Sequence, residues 1–210
     1  MLFRSLFQLL GSDYRDRADW SKVHVFWGDE RCVPPDDAGN SYGQAREAFL
    51  SRVSIPDSNV HRIKGELEPP PASEDYAGVL KEFAEDGFDF PRFDLVLLGM
   101  GEDGHTASLF PGSTVRAAET VVPVTAQYQD RPANRVTLTP VVFNRSRMVV
   151  FMATGERKAI TLAEVLSDRY NPELYPAQRI DPTDGELIWL LDKDAASKLP
   201  RRLKRKFCEG

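Results

Sequence analysis

The chain has 210 residues, of which 41% are hydrophobic and 28% charged, so it is long enough to build a substantial hydrophobic core. Its formal net charge of −5 argues against a general nucleic-acid binder, although a local basic pocket remains compatible with it. No apolar run is long enough to cross a bilayer, so we expect no membrane partner.

The first ten residues, MLFRSLFQLL, are predicted to form an amphipathic helix rather than a transit peptide. Their apolar residues recur at i, i+3, i+4 and i+7, and Gly11 follows as a typical helix C-cap. The segment is short and lacks a cleavage site of small residues. The chain has only two cysteines, far apart, so a reducing cytoplasm is the expected compartment.

The cysteines and histidines do not form a recognisable metal-binding or disulfide pattern. Cys32 and Cys208 are far apart, which is not typical of a disulfide scaffold or a zinc site. His24, His61 and His105 lack the spacing of a metal-ligand motif. The sequence predicts no metal, and Cys32 is interpreted as a bystander rather than a reactive thiol.

Strand and helix patterns alternate along the chain. The predicted strands are 23–29, 93–101, VVPVT, RVTLTP, RMVVFMAT and 186–192. The predicted helices are 41–53, 73–87 and 155–169. Ser73 is the expected N-cap of the second helix, and the proline-rich stretch before it is predicted to be a solvated loop. Run 93–101 is typical of a fully buried parallel strand, and the alternation predicts an α/β fold.

Polar loops follow three of the predicted strands: GDER, GMGEDGHT and TGERK. Ligands in α/β folds bind beyond the carboxyl ends of strands, so these loops predict one shared site. Arg31 is suited to phosphate, although a surface salt bridge is the simpler alternative. Lys158 lies where a helix dipole disfavours a cation unless an anion is bound. Asn40 and Tyr42 are further polar candidates.

The loop from Gly99 to Thr106 matches two nucleotide motifs imperfectly. It fits G-x-G-x-x-G, but only two helical turns are predicted after it, and Glu102 and Asp103 would face a negative pyrophosphate. It also approaches the phosphate loop G-x-x-x-x-G-K-T, with His105 in place of the lysine. Neither nucleotide interpretation fits well.

A third interpretation treats His105 as an acid–base group. Gly101 and Gly104 let the backbone approach a substrate closely, and Asp103 is placed to orient the imidazole and raise its basicity. No serine or cysteine is paired with the histidine, so water would be the attacking group. The alternative is structural, with His105 capping a turn and Asp103 capping the short helix. The local pattern leaves both open.

Several stretches resemble those of 6-phosphogluconolactonases, in the same order and over nearly the whole chain. They are VHVFWGDERCVPPDD, GNSYGQAREAFL, FDLVLLGMGEDGHTASLFPGS, RVTLTP, MATGERKA and DGELIWLLDKDAA. Glucosamine-6-phosphate deaminases share the glycine loop but continue with an Asn-Glu-Pro type of sequence. Thr106–Pro111 reads TASLFP here, which favours the lactonases.

This resemblance implies a single domain over residues 1–210, built as a three-layer α/β sandwich with a mostly parallel, Rossmann-like sheet flanked by helices. It implies hydrolysis of 6-phospho-D-glucono-1,5-lactone to 6-phosphogluconate without metal or organic cofactor. The implied partner is this small sugar-phosphate lactone and not nucleic acid, and the expected oligomeric state is a monomer or weak homodimer.

The resemblance also implies roles for individual residues. His105 would activate water as a base or protonate the ring oxygen as an acid, supported by Asp103. Arg31 and Lys158 would hold the 6-phosphate or stabilise the developing oxyanion. Asp29 would help to arrange that pocket.

The beginning of the chain departs from the family pattern. Lactonases of this family begin with strands and a GGSTP-like loop whose backbone N–H groups bind phosphate, and the chain has no such motif. We expect a domain that lacks its first strand or strands and this loop. An inactive remnant that binds sugar phosphates is therefore an alternative to the enzyme.

Overall fold

A computed structural model describes residues 2–113 and 118–203. Within these ranges there are five α-helices: α1 Leu2–Leu10, α2 Ser41–Ala48, α3 Pro69–Glu82, α4 Pro140–Phe143 and α5 Ala159–Val165. The strands in the same ranges are β1 Val25–Phe26, β2 Asp29–Arg31, β3 Val60–His61, β4 Val96–Gly99, β5 Val121–Thr125, β6 Asn134–Leu138, β7 Met148–Ala153 and β8 Glu186–Leu191. None of the described helices has the length and apolar character needed to span a membrane.

The chain divides into two compact units. The first comprises Met1–Phe83 and Val121–Thr137, and the second comprises Ala84–Thr120 and Leu138–Gly210. The first therefore contains α1 to α3 with five of the strands, and the second contains α4, α5 and the β4, β7 and β8 strands.

The first unit contains two small sheets. Strands β1 and β3 pair in parallel, and β6 lies between β2 and β5. Helix α3 packs on β5, where the buried Ser73 hydroxyl donates to the Val121 carbonyl at 3.1 Å. The fully buried Tyr76 hydroxyl accepts the Trp27 N–H at 2.8 Å and donates to the Trp27 carbonyl at 3.0 Å. These bonds satisfy polar groups that would otherwise be costly to bury.

The second unit is built on a parallel sheet in the order β4, β7, β8. Its core includes the Phe151 and Trp189 rings, stacked with centroids 4.1 Å apart, and the buried face of α5. In register, Gly99 pairs with Met152 and Ala153 pairs with Leu191. The carboxyl ends of all three strands therefore meet at one edge of this sheet, where side chains on the following loops can form a site.

The predicted α/β class is confirmed by parallel sheets flanked by helices. The structure differs from a purely parallel arrangement because β2 pairs with β6 in antiparallel fashion. Strand β2 also separates from β1, so the predicted single strand 23–29 is two short strands. Helix α2 ends at Ala48, and a 3-10 turn follows over Leu50–Arg52.

Two expectations about helix α3 were wrong. The helix begins at Pro69 rather than after Ser73, and it takes in the proline-rich stretch that was expected to be a loop. Proline is well suited to a first helical turn, because its φ is already helical and its missing N–H would have had no partner there. Ser73 lies inside the helix and serves its packing on β5.

One expectation about an apolar strand was wrong, and the expected end of helix α1 is confirmed. Strand β4 lies at one edge of its sheet, and Leu95 and Leu97 are 52% and 37% exposed, so the run is not fully buried. Gly11 ends α1 as predicted, but its φ is not positive, so it is not a left-handed cap. Glycine is needed there because a Cβ would lie 2.6 Å from the Ala48 carbonyl oxygen.

Candidate active site

The glycine loop after β4 brings the His105 ring directly against the backbone. The Gly101 N–H donates to the His105 carbonyl at 2.8 Å, and the Gly104 N–H donates to the Gly101 carbonyl at 3.2 Å. A Cβ on Gly101 would overlap the His105 imidazole, so only glycine permits this approach. Gly104 has φ of +85°, a conformation that also favours glycine.

Asp103 and His105 form a close pair within this loop. The imidazole Nδ1 lies 2.6 Å from the Asp103 Oδ1, and the His105 backbone N–H donates to the same oxygen at 3.2 Å. The His105 side chain is 13% exposed. Burial opposes ionisation of Asp103, but the hydrogen bonds and charge of His105 outweigh it and hold the pKa of the carboxyl below its usual value. Because an ionised carboxylate only accepts, Nδ1 carries the hydrogen, and Nε2 carries the lone pair of the neutral ring.

The segment after His105 is a compact turn. The Thr106 hydroxyl donates to the Gly99 carbonyl at 2.8 Å, and the Leu109 N–H donates to the Thr106 carbonyl at 2.9 Å. Phe110 packs against the imidazole with ring centroids 4.7 Å apart. No helix begins between 104 and 113 in the described chain, so Asp103 is not a helix cap and the dinucleotide interpretation fails.

Lys158 lies in the turn that follows β7. Gly155 has φ of +91°, and the Lys158 N–H donates to the Gly155 carbonyl at 3.2 Å. The lysine ends a 3-10 turn over Glu156–Lys158, so it precedes α5 rather than lying in its first helical turn.

One contact from this turn and one from the following helix α5 reach the histidine loop. The Thr161 hydroxyl donates to the Glu102 carbonyl at 2.6 Å, and the Arg157 Nε lies 3.3 Å from the Glu102 carboxylate. In addition, the Ala177 N–H donates to the Gly104 carbonyl at 3.0 Å. The second unit thus brings the loop of Asp103 and His105 together with the turn of Lys158 at the carboxyl edge of its sheet.

In the first unit, Arg31 is fixed by the loop that precedes α2. Its Nη1 donates to the Gly39 carbonyl at 2.7 Å and lies 3.3 Å from the Ser41 hydroxyl. Asp29 lies two residues earlier on β2, so both side chains leave the same face of the strand. The alternative, in which Arg31 forms only a surface salt bridge, does not fit the described contacts. The partners of its guanidinium are a carbonyl and a hydroxyl.

Asn40 has a structural role in the same loop. It is completely buried, its Oδ1 accepts the Gly43 N–H at 2.8 Å and its Nδ2 donates to the Val33 carbonyl at 3.0 Å. It is therefore the N-cap of α2. Contact between Asn40 and substrate stays a prediction, and this burial argues against it.

The predicted site residues therefore fall into two groups. The second unit holds one group: Gly101, Asp103, Gly104, His105 and Lys158. The first unit holds the other: Asp29, Arg31, Asn40 and Tyr42. That both groups serve one substrate stays a prediction from the sequence.

The chain matches the model of a known protein family. Residues 2–189 match the family model of glucosamine-6-phosphate isomerases/6-phosphogluconolactonase. The chain belongs to this family.

Curated relatives of the isomerase/lactonase family are similar over most of the chain. A probable chloroplastic 6-phosphogluconolactonase of Oryza sativa is 39% identical over 96% of the chain, and the chain spans 65% of that relative's length. The 6-phosphogluconolactonase of Synechocystis is 40% identical over 88% of the chain and 77% of its own length. The expected resemblance to lactonases is confirmed by these relatives.

Solved structures of the isomerase/lactonase family give the same result. The 6-phosphogluconolactonase of Trypanosoma brucei has a TM-score of 0.81 at 29% identity, covering 94% of this chain and 82% of that one. The enzyme of Thermotoga maritima has a TM-score of 0.77 at 30% identity, covering 90% and 79%. A monomeric glucosamine-6-phosphate deaminase is 18% identical with a TM-score of 0.77, which shows the shared fold alone.

Two carboxylates that bind backbone N–H groups near the candidate site were not predicted from the sequence. Glu30 is completely buried and accepts the N–H groups of Arg31, Ser41 and Tyr42 at 2.7–2.8 Å. Burial raises the pKa of Glu30, and these three N–H groups oppose the rise. Asp192, at the end of β8, accepts the Gly155 N–H at 3.0 and 3.1 Å. The strand-end argument, extended to the strand 186–192, would have found Asp192.

Metal and thiol chemistry find no support in the described residues. Across 2–113 and 118–203 there is no group of three or more His, Cys, Asp or Glu side chains that could hold a metal ion. Burial, with the charges of Glu30 and Glu68, raises the pKa of the Cys32 thiol to about 11, which makes a poor nucleophile. Cys208 lies outside the described residues.

Proposed function

We propose that this chain hydrolyses 6-phospho-D-glucono-1,5-lactone to 6-phosphogluconate, the second step of the oxidative pentose phosphate pathway. The observation that carries the proposal is the Asp103–His105 pair, held at 2.6 Å on a glycine loop next to the Lys158 turn. The names of the relatives from Oryza sativa, Synechocystis and Trypanosoma brucei support the same substrate.

The first chemical step follows from the state of the imidazole. In the neutral ring Nε2 takes a proton from water, and the water oxygen bonds to C1 of the lactone. The electron pair of the C1 carbonyl moves to its oxygen, which gives a tetrahedral oxyanion and an imidazolium paired with the Asp103 carboxylate. A nearby cation such as Lys158 stabilises that oxyanion.

The second step returns the proton. The oxyanion re-forms the carbonyl, and the bond between C1 and the ring oxygen breaks. His105 gives its proton to the departing ring oxygen, which becomes the C5 hydroxyl of the open-chain acid. The histidine therefore acts as base and then as acid, and its neutral form is regenerated without a metal or organic cofactor.

The anionic substrate explains the basic residues of the two loops. We infer that Arg31 and Lys158 divide the 6-phosphate and the developing oxyanion between them, because guanidinium and ammonium groups both bind phosphate oxygens. Asp29 helps to arrange Arg31, and Gly101 and Gly104 keep the backbone close to the lactone.

The test is the loss of 6-phosphogluconolactone above its spontaneous rate. We expect His105→Asn and Asp103→Asn each to lower kcat by on the order of 10²–10⁴-fold, the contribution of one positioned acid–base group. His24→Gln, a change at an exposed histidine, is the matched control and should retain activity. Equal rates for the wild type and His105→Asn would refute the proposal.

Two further measurements separate the alternatives. Release of ammonia from glucosamine 6-phosphate would indicate the deaminase activity instead. A rise in Tm with 6-phosphogluconate in the absence of any hydrolysis would indicate a remnant that binds sugar phosphates.

The remaining expectations belong to this proposal. We infer that residues 1–210 act as one functional domain, in the cytoplasm, as a monomer or weak homodimer. The rice relative is named as chloroplastic, so the compartment needs its own measurement by fractionation. Analytical ultracentrifugation would decide the oligomeric state.

A further inference from the structure

We infer that Asp192 is a positioning residue for Lys158, acting through the backbone of Gly155. The inference rests on the proposed function, because it concerns how the enzyme holds an anionic sugar. It assigns a task to a carboxylate that the chemistry of His105 and Asp103 does not use.

The contacts of Asp192 join two strand ends. Its carboxylate accepts the Gly155 N–H at 3.1 Å on Oδ1 and 3.0 Å on Oδ2. Oδ1 also accepts the Ala195 N–H at 2.7 Å. Asp192 follows β8 and Gly155 follows β7, and these neighbouring strands pair in parallel up to Ala153 and Leu191. The carboxylate thus extends the link between the strands beyond their last paired residues.

The conformation of Gly155 explains why such a link matters. Its φ of +91° is a region that glycine enters easily, and a Cβ there would meet nothing within 4 Å. The glycine is therefore needed for its backbone conformation and not for space. A glycine has many accessible conformations, so the carboxylate selects one of them.

The conformation of Gly155 also determines where the turn that ends at Lys158 begins. The Gly155 carbonyl accepts the Lys158 N–H at 3.2 Å, so the turn closes on the same glycine that Asp192 holds. Two successive hydrogen bonds therefore connect the carboxylate with the lysine backbone. Loss of the first releases the start of the turn and spreads the positions of the ammonium group.

A purely structural role would look different. Strands β7 and β8 already pair over six residues each. The first pair is Met148 with Glu186, and the last is Ala153 with Leu191. The carboxylate adds its bonds beyond this ladder, to Gly155 on the segment that leads to Lys158 and to Ala195 in the turn after β8. Its removal should leave the sheet intact and loosen these two turns, of which only the first leads to Lys158.

The experiment compares Asp192→Ala with Asp192→Asn. We expect Asp192→Ala to raise KM for the lactone, and Kd for 6-phosphogluconate measured by calorimetry, about 10-fold, since small displacements of a binding group are costly. Its kcat should change by less than about 3-fold where Lys158 holds the 6-phosphate, and should fall together with the rise in KM where Lys158 stabilises the oxyanion. In both cases its pH profile should match the wild type, because the Asp103–His105 pair is untouched. In Asp192→Asn the amide oxygen can replace Oδ1, so KM should stay within about 3-fold.

A double-mutant cycle with Lys158→Ala decides whether Asp192 acts through the lysine. We expect Asp192→Ala to have little effect on KM and Kd once Lys158→Ala is present. Asp194→Ala is the matched control, since this neighbouring carboxylate caps no backbone N–H of its turn. It should leave KM unchanged.

The outcomes distinguish this inference from the proposed function. Equal effects of Asp192→Ala with and without Lys158, or a lower Tm with unchanged KM and Kd, would overturn the positioning role. If the wild type binds 6-phosphogluconate but does not hydrolyse the lactone, the proposed function fails. The double-mutant cycle then tests the positioning role from the Kd values for 6-phosphogluconate alone. If the wild type neither hydrolyses nor binds, both are overturned.

Discussion

Glu30 in the first unit and Asp192 in the second perform the same local task in different surroundings. Each joins two segments through backbone N–H groups, and one of the two segments carries a basic residue. Glu30 links Arg31 with the start of α2, and Asp192 links Gly155, three residues before Lys158, with the turn after β8. Glu30 is completely buried, whereas Asp192 is half-buried and reached by water. Water can replace a lost partner only at the second position, so the same type of contact should support the fold at Glu30 and precision at Asp192.

The largest expected effect is the loss of Glu30. Glu30→Ala leaves three part-buried N–H groups without their buried acceptor, so the free energy of unfolding should fall by about 3 kcal/mol, against about 1 kcal/mol for Asp192→Ala. Urea unfolding followed by far-UV circular dichroism measures both. Glu30→Gln keeps one acceptor oxygen and should lie between the wild type and Glu30→Ala. Equal losses in the free energy of unfolding for Glu30→Ala and Asp192→Ala would contradict the difference assigned to the two carboxylates.

A smaller effect is expected from pH, and it belongs to the first unit. Burial, and then the nearby His24, lowers the pKa of His61 below 6.5, although Glu82 opposes this. As pH falls through 6.5 the unfolded chain takes up a proton that folded His61 does not yet bind, so stability present above 6.5 is lost. Unfolding in urea should therefore need less denaturant at pH 5.5 than at pH 7.5.

His61→Gln is the control for this pH dependence. The variant has no imidazole at position 61, so its denaturation midpoint should change less between pH 7.5 and 5.5. The folded protein places the His24 Nδ1 3.0 Å from the His61 Nε2, and a second proton on this pair would meet a like charge. An unchanged pH dependence in the variant would show that other groups cause it.

The smallest expected effect concerns the reaction of the Cys32 thiol with a disulfide reagent, whose rate should stay low in the folded protein. With the pKa of Cys32 raised to about 11, its thiolate is scarce at pH 8, and a Cys208→Ser variant should react slowly with a disulfide reagent until urea unfolds it. Added Glu30→Ala should speed the reaction, because it removes a negative charge and loosens the loop. Fast labelling of the folded single-cysteine protein would contradict the raised pKa and the partial burial of Cys32.

Part of the fold and site could be predicted from the sequence because these features depend on residues that are close together in the chain. Apolar β4 and β7, each followed by a glycine-containing loop, predicted a parallel sheet with polar residues at its carboxyl edge. The Asp103–His105 pair was predictable because the two residues are only two positions apart on a glycine loop. The α/β class followed from the same alternation.

Other features depend on partners that are distant in the chain. Strand β2 consists of Asp, Glu and Arg, and its antiparallel pairing with β6 across more than 100 residues leaves no local periodicity. Glu30 looked like one member of a polar loop, and only the folded chain brings Ser41 and Tyr42 to it. The first turn of α3 was missed because prolines are as typical of loops as of helix starts.

The overlap between a Cβ at position 101 and the His105 ring has a consequence for how this chain can evolve. The imidazole occupies the volume that the Cβ of every other amino acid would need, so no single-base change that replaces Gly101 is neutral. Glycine codons mutate by single bases to alanine, serine, aspartate, valine, arginine and others, and each would push the ring away from its working position. Lineages that keep the Asp103–His105 pair should accept drift around this loop while position 101 stays fixed.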